Sequence, residues 1–330
     1  MRKDVIGNMW DQQSRQNWTA YNRAQTTEFN QFDILLKDIL ENVDESQYKF
    51  GRPSLSLRDV LFCCVKKVYS QMSCRRSKGM LDNAAGKNLI GKSPNYTATS
   101  KLLSKKKTTA ILSHLIMLSA LPLKDFEEHF SVDSSGFRLT NFTPYFGDKH
   151  KVEMKHDWLK LHMCIGTHTN IITSVRITDQ NGADMKEFGY LVRSTARKFK
   201  IKELSADKGY SSRKSYEIVD KIGGQALIPF KINATGKSKG SPIYHKMYHY
   251  FKFHQPEFMA RYHQRSNIES TFFMLKKKFG DSLKSRNKTA QVNELLCKVL
   301  AHNLCVLLEE SQESGINPDL GNNKEGRSDE

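Results

Sequence analysis

Three acidic residues of this 330-residue chain stand out by their placement, namely Asp133, Asp207 and Glu269. Asp133 lies at the end of a predicted strand in FSVDSSGF (130–137), and Asp207 at the end of another in IKELSADKGY (201–210). Strand ends in a mixed sheet project side chains from a rigid scaffold into a shared crevice. The two carboxylates therefore converge if their strands are neighbours. The negative charges of two adjacent carboxylates repel each other and raise the pKa values of both groups. Such a pair is therefore typical of a site where divalent cations neutralise the charge.

Carboxylate oxygens are hard ligands that suit Mg²⁺ or Mn²⁺. With Glu269 as a third ligand, the set can hold two ions about 3.5–4 Å apart, one for the attacking and one for the leaving oxygen of a phosphodiester. Taken singly, each acid has a plainer interpretation: an Asp at a strand end most often belongs to a turn or cap, and Glu269 can pair with Arg265. The joint placement of all three favours a metal-dependent phosphoryl-transfer site.

Glu269 lies in the basic segment RYHQRSNIESTFFMLKKKFG (261–280), which the pattern predicts as one helix. At 100° per residue, four polar side chains fall within about 60° of arc. These are Tyr262, Arg265, Glu269 and Lys276. A neighbouring apolar stripe predicts the side that presses on the sheet. It consists of Ile268, Phe272, Leu275 and Phe279.

Positive charge continues along the same segment. Between Arg261 and Lys288 there are eight Lys and Arg residues against Glu269 and Asp281. Basic helix faces are often merely solvated, but this excess flanks the proposed site and favours phosphate contact. The contacts predicted in the lysine run are Lys276, Lys277 and Lys278.

Composition limits the classes of partner that the chain is expected to bind. A formal charge of +17 on 37.9 kDa favours a polyanion, with nucleic acid first and an anionic membrane second. The longest apolar stretches, such as AILSHLIMLSAL (110–121), are short and contain His and Ser, which argues against a membrane. Six cysteines show no metal-ligand spacing and are predicted to be reduced, mostly buried thiols in a cytosolic protein.

The order of predicted elements from residue 126 onwards is β-β-β-α-β-α-β, followed by an irregular segment and the helix of Glu269. Strands are predicted at 158–167, 170–179 and 225–230, and the intervening helices at 185–199 and 212–223. The segment 130–137 is predicted as a strand that ends in a polar turn, and 201–210 as a short strand that leads into a turn. This order fits a ribonuclease H-like mixed sheet flanked by helices, in the α/β class.

The part before this sheet, residues 1–125, is predicted to be a helical domain for DNA binding or dimerisation. Its helices are predicted at 29–43, 57–72 and 107–120, with a turn at 51–54. The catalytic domain is then assigned to 126–310, and the polar, Gly- and Asn-rich stretch 311–330 is predicted to be disordered.

With these residues in view, the chain resembles the DDE transposases of bacterial and archaeal insertion sequences. The segment matches the Y-x2-R-x3-E-x6-K signature of one large group at Tyr262, Arg265, Glu269 and Lys276. The stretches VDSSGF and SADKGYSS resemble the blocks around the family's first and second aspartates. The resemblance is clear over about 126–309.

The resemblance implies a ribonuclease H-like domain in which Asp133, Asp207 and Glu269 bind two Mg²⁺ ions. It also implies that water first cleaves the DNA at the ends of the insertion sequence, and that the freed 3′-hydroxyl then attacks target DNA. By the same resemblance, Tyr262, Arg265 and Lys276 are expected to contact DNA near the cleaved end, with Arg binding phosphate bidentately and Lys acting as a point charge. The implied partners are double-stranded DNA, as terminal inverted repeats and target, and a second copy in a homodimer. The implied location is the nucleoid in prokaryotic cytoplasm.

Alternatives remain open on the residues alone. The chain can be a stand-alone ribonuclease H-like nuclease, or a catalytically silent relative that only binds DNA. The stretch from Lys231 to Phe258 is short compared with the strand-rich insertion of some family members. Its interleaved lysines and aromatic residues suit either a DNA-contacting loop that stacks bases or an ordinary packed loop. His156, His162 and His168 are expected to be structural, and Asp184 to cap the following helix.

Overall fold

The computed structural model describes residues 17–45, 55–139, 158–318 and 320. The predicted turn at 51–54, His156 and the stretch 321–330 lie outside the described residues.

The N-terminal region is helical, as predicted. Its described helices are α1 (Trp18–Leu40), α2 (Leu57–Tyr69), α3 (Lys78–Gly86), α4 (Tyr96–Leu103) and α5 (Lys106–Ala120). The sequence reading missed α3 and α4, which have nine and eight residues and carry weak helix formers such as Gly79 and Thr97. The α4 helix begins after Asn95, whose side-chain oxygen accepts a hydrogen bond from the backbone N–H of Thr97 at 3.0 Å.

A five-stranded mixed sheet forms the centre of the molecule. Its strands are β1 (His129–Arg138), β2 (Trp158–Gly166), β3 (Ile172–Asp179), β4 (Glu203–Ala206) and β5 (Gln225–Leu227). The spatial order is β3-β2-β1-β4-β5, with β1–β2 and β2–β3 antiparallel and β1–β4 and β4–β5 parallel. The crossover helices are α6 (Asp184–Ala196) and α7 (Arg213–Lys221). This arrangement confirms the predicted ribonuclease H-like fold.

The first strand is longer than its sequence suggests. Ser134, Ser135 and Gly136 read as a turn, yet β1 continues to Arg138 because β2 supplies hydrogen-bond partners along its whole length. Phe137 is fully buried and anchors this extension. The pairing with β4, in contrast, stops at Val132 opposite Ala206. Asp133 therefore lies within β1, at the first position beyond the pairing with β4.

The segment after β5 is more helical than predicted. Four helices follow: α8 (Pro242–Phe253), α9 (Gln255–Tyr262), α10 (Ser266–Phe279) and α11 (Lys288–Glu313). A 3₁₀ turn, His263–Arg265, joins α9 to α10, so the predicted continuous helix is broken just before Glu269. The predicted irregular segment was wrong over α8, where Pro242 starts a helix that buries Tyr244 and Met247.

The apolar stripe of α10 packs as predicted. Its four residues, Ile268, Phe272, Leu275 and Phe279, are all buried. The helix thereby lies against the sheet and holds its polar edge over β1.

Helix α11 joins the N-terminal helices to the sheet. It packs against α1, α2 and α5 and also contacts β3. Its residue Asn303 accepts a hydrogen bond from the N–H of Ile172 in β3 at 3.0 Å and donates to Ser119 Oγ of α5 at 2.9 Å. The described residues of both regions share one hydrophobic core. The domain boundary near residue 125 stays a prediction.

No helix among the described residues is long and apolar enough to span a membrane. All six cysteines are free thiols, and all but Cys74 are buried, as predicted.

Candidate active site

Asp133 and Asp207 lie on the two central parallel strands. Val132 of β1 pairs with Ala206 of β4, so each aspartate is the next residue in the same register. Asp207 follows its strand and caps a 3₁₀ turn, accepting a hydrogen bond from the N–H of Lys208 at 2.7 Å. Asp133 Oδ1 accepts one from the N–H of Ser134 at 2.8 Å. The structure thus places the two predicted aspartates on neighbouring strands at one edge of the sheet.

Electrostatics mark this edge as a site that needs positive charge. Burial raises the pKa of the Asp133 carboxyl, and the nearby charge of Asp207 raises it further. The Ser134 N–H and the Arg265 guanidinium act in the opposite direction. The cationic and hydrogen-bonding neighbours thus favour the ionised form of Asp133, whereas burial and the Asp207 charge oppose it.

Arg265 supplies that charge by bridging two of the three predicted acids. Its Nη1 lies 3.0 Å from Asp133 Oδ2, and its Nη2 is paired with Glu269 Oε1 one helical turn further along. The Arg265 side chain is only 17% exposed, whereas that of Glu269 is 61% exposed. One partly buried guanidinium thus occupies the position between Asp133 and Glu269.

Glu269 lies in the first turn of α10, where its side chain is paired with Arg265. Within the described residues, no three His, Cys, Asp or Glu side chains are grouped closely enough to hold a metal ion. The assignment of Glu269 as a third metal ligand accordingly stays a prediction.

Two of the predicted DNA contacts point towards the site. Burial raises the pKa of the Tyr262 hydroxyl; the Arg265 charge opposes that rise, and the Asp207 charge adds to it. Lys276 Nζ donates a hydrogen bond to Ser135 Oγ at 2.6 Å, on the same face of β1 as Asp133. Both side chains therefore border the acidic pair.

The two other lysines of the run have different surroundings. Lys277 is exposed, with its Nζ 5.4 Å from the ring centre of Phe273. Lys278 is ion-paired with Glu28 of α1 instead. Successive helical residues are separated by 100°, so Lys278 is rotated away from the face of Lys276. The structure does not place Lys278 at the candidate site.

Sequence reasoning missed the support behind Asp133. Asp184 is the first residue of α6 and makes no capping hydrogen bond, contrary to the expectation. Its Oδ1 accepts a hydrogen bond from Ser134 Oγ at 2.8 Å and lies 2.7 Å from Lys160 Nζ. This contact holds β1 from the face opposite Asp133. No local pattern in NGADMKEF indicates it, because the partners come from two distant strands.

His162 beside this cluster is a structural histidine, as expected. It is fully buried, its Nε2 lies 2.8 Å from Thr178 Oγ1, and burial lowers its pKa.

The fold and site together define a ribonuclease H-like protein with an aspartate on each of its two central parallel strands and a glutamate on a following helix. The model of the transposase DDE domain family matches residues 124–304, which is more than half of the chain. The chain belongs to this family and is a DNA transposase, as the sequence resemblance indicated.

One similar solved structure is a piggyBac transposase synaptic complex with hairpin DNA, determined by cryo-EM. It shares 9% sequence identity with this chain, with a TM-score of 0.40, and the alignment covers 87% of this chain and 73% of that one.

Proposed function

We propose that this transposase cuts DNA at the terminal inverted repeats of a prokaryotic insertion sequence and joins the 3′-hydroxyl ends to target DNA. Asp133, Asp207 and Glu269 form its catalytic set. The observation that carries this proposal is the matched position of Asp133 and Asp207 on adjacent parallel strands. Membership of the DDE transposase family supports the same reaction class.

The donor set suits the divalent ions that the family implies. Three carboxylates offer only hard oxygen ligands, which Mg²⁺ and Mn²⁺ prefer. The partly buried Asp133 already carries a cationic partner in Arg265, so the cluster accepts positive charge. We assign Asp133, Asp207 and Glu269 as the residues that hold two such ions. Held by these carboxylates, two such ions would supply activation of the attacking oxygen and stabilisation of the leaving oxygen of the phosphodiester.

The neighbouring side chains position the DNA end. Lys276, fixed by Ser135 on the Asp133 face, offers a point charge to a phosphate. Arg265 offers a planar, bidentate donor once its carboxylate partners are neutralised. Tyr262 completes this border, and Lys277 adds an exposed cation one residue beyond Lys276.

A second basic surface extends the DNA contact to the N-terminal helices. Asn287 Nδ2 donates a hydrogen bond to Ser104 Oγ at 2.8 Å and joins the loop before α11 to the loop before α5. Exposed cations gather at this junction. They are Lys105, Lys106, Lys107, Arg286 and Lys288. We assign this surface to phosphate contacts with duplex DNA. Because two DNA ends must be held together, the active assembly is a homodimer on DNA.

The test is strand transfer by the purified protein with Mg²⁺ or Mn²⁺. Its substrates are labelled duplexes from the two genomic flanks of its gene and a supercoiled plasmid target. We expect 3′-end cleavage followed by joined products. Asp133→Asn, Asp207→Asn and Glu269→Gln should each reduce both steps about 1000-fold or more, since several kcal/mol of charge stabilisation are lost.

Asp220→Asn is the matched control, because Asp220 is an exposed aspartate of α7 away from the site. It should cut and join like the wild type, and all four variants should still bind the duplex. Cleavage without joining would identify a nuclease instead, and binding without either step would identify a silent DNA-binding relative. Normal nicking by one acid variant would remove that residue from the catalytic set.

A further inference from the structure

The surface formed by α8 and the loop before it has a composition of its own. From Lys231 to Pro256 the chain contains five lysines and no aspartate or glutamate. All five lysines are exposed. They are Lys231, Lys237, Lys239, Lys246 and Lys252. A cationic surface of this kind fits an anionic partner.

One face of α8 is an ordinary packed face. Tyr244 and Met247 are buried, and the Tyr244 ring meets Tyr216 of α7 edge-on with centroids 5.5 Å apart. Phe230, just after β5, stacks on the same Tyr216 at 5.1 Å. These contacts fix the helix firmly to the sheet domain.

The opposite face carries three rings that the core does not use. His245, His249 and Phe253 follow one another at four-residue intervals, and we call them the aromatic ladder. The His245 and His249 ring centres are 4.4 Å apart. The His249 and Phe253 rings are 5.7 Å apart with planes only 6° from parallel. All three residues are exposed, Phe253 at 76%.

The loop before α8 holds one end of this ladder in place. His245 Nδ1 lies 2.6 Å from the carbonyl oxygen of Gly236. A Cβ at Gly236 would come within 2.7 Å of the Tyr248 ring, so glycine permits this close approach. Together, the loop and the two histidines of the ladder line an open cleft of about 670 Å³ with Lys237 and Lys239 on its wall, and Phe253 continues the ladder beyond it.

The cleft lies on the catalytic side of the sheet. Strands β4 and β5 are parallel, so the loop leaving β5 starts at the same edge as Asp207. Arg213, six residues after Asp207, donates hydrogen bonds to the carbonyl oxygens of Ser238 at 3.0 Å and Lys237 at 2.8 Å. The loop that carries Lys237 and Lys239 is therefore fixed to the segment that follows Asp207.

We propose that the aromatic ladder stacks unpaired bases of the DNA strand next to the cleavage site, while Lys237, Lys239 and Lys252 hold its phosphates. Proteins bind single-stranded nucleic acid with aromatic rings on a cationic surface, because every base has a face that can stack on a ring. Against a second copy of this chain, the same surface would place like charges opposite each other. The inference rests on the proposed function, since it names a further part of the DNA substrate.

The test compares two probes in EDTA by fluorescence anisotropy. One is a duplex with a short 3′ overhang of thymidines, and the other carries the same overhang with the bases removed. Their phosphates are alike, so their difference isolates base contact. We expect the wild type to prefer the first probe, and Phe253→Ala or His249→Ala to weaken that probe about tenfold without changing the second.

Phe126→Ala is the matched control, because Phe126 is another exposed phenylalanine. It precedes the start of β1, at the end of the strands opposite to the aspartates. It should change neither probe. Equal weakening of both probes by Phe253→Ala, or no weakening of either, would overturn the inference. Loss of a protein dimer by Phe253→Ala with unchanged probe preference would also overturn it, and would make the ladder an interface between copies.

The outcome is separable from that of the proposed function. Binding in EDTA needs no cleavage. A protein that prefers the overhang bases but never cuts DNA would therefore support the role of the ladder and contradict the proposed transposition reaction. A protein that cuts and joins DNA without this preference would support the reaction and contradict the role of the ladder.

Discussion

At the scale of single residues, Arg265 lies where a divalent metal ion is also proposed to bind. It is ion-paired with Asp133 and Glu269, the same acids that are assigned to hold metal. A guanidinium and a divalent cation compete for these oxygens, because both neutralise the same charge. If the acids hold metal as proposed, Arg265 would stabilise the site before metal binds and would become available to a DNA phosphate afterwards.

Replacing Arg265 separates these effects. In EDTA, Arg265→Gln should lower the free energy of unfolding by about 1–3 kcal/mol, since Asp133 loses its charged partner. Adding Mg²⁺ should then stabilise the variant more than the wild type, because no guanidinium competes for the carboxylates. Urea denaturation with and without MgCl₂ measures both quantities.

Arg261→Gln provides the comparison, as Arg261 is ion-paired with Glu203 at 2.5 Å, away from Asp133. It should lower stability without changing the increment produced by Mg²⁺. An Arg265→Gln variant that gains no more from Mg²⁺ than the wild type would contradict the competition.

At the scale of elements, the turn between α10 and α11 is held by a buried lysine. Lys298 of α11 donates hydrogen bonds from Nζ to the carbonyl oxygens of Gly280 at 2.7 Å and Ser282 at 2.8 Å. Gly280 ends α10 with a φ of +80°, in the region that favours glycine. Burial lowers the pKa of Lys298 to about 8. This clamp fixes the end of the helix that carries Glu269 and Lys276.

The lowered pKa of Lys298 has a defined consequence for stability. Between about pH 8 and 10.5 the unfolded chain keeps a proton that the folded protein has released, so the free energy of unfolding rises with pH in this window. Lys298→Met removes this contribution. The stability of the wild type minus that of the variant should therefore increase by roughly 1 kcal/mol per pH unit there.

Denaturant titrations of both proteins across this pH range measure the difference between their free energies of unfolding. The contributions of other titrating groups cancel in this difference. At neutral pH the variant should be less stable by about 1–3 kcal/mol, because two carbonyl groups lose their donor. A pH-independent difference would place the Lys298 pKa near its ordinary value.

At the scale of the whole molecule, α11 is the element that unites the chain. It is buried almost continuously from Leu295 to Leu308 and lies between the N-terminal helices and β3. Such a helix is apolar nearly all round, so it is stable only when covered on several sides. The DDE domain is therefore not expected to fold without α1, α2 and α5.

A fragment of residues 124–318 tests this dependence. We expect it to aggregate or to lose cooperative thermal unfolding in circular dichroism, since it exposes the α11 face that α1, α2 and α5 cover. A fragment of residues 17–330 keeps every described helix and should unfold like the full chain. An equally stable 124–318 fragment would show that the two regions are independent domains.

The sequence by itself determined the order of strands and helices along the catalytic region, the fold class and the family. Strand and helix periods, the signature from Tyr262 to Lys276 and the apolar stripe of α10 are local or regularly spaced, and such patterns can be read along a chain. The same local reading failed in β1, where SSG resembles a turn, and in α8, where Lys and aromatic residues resemble a loop.

Only the tertiary structure decided how distant parts meet. Pairing with β2 extends β1 past Asp133, and α1 draws Lys278 away from the site through Glu28. Contacts of Asp184 with Ser134 and Lys160 likewise join three separate elements. These outcomes depend on partners far apart in the chain, whose proximity arises when α10 and α11 bury their apolar faces against the sheet and the N-terminal helices.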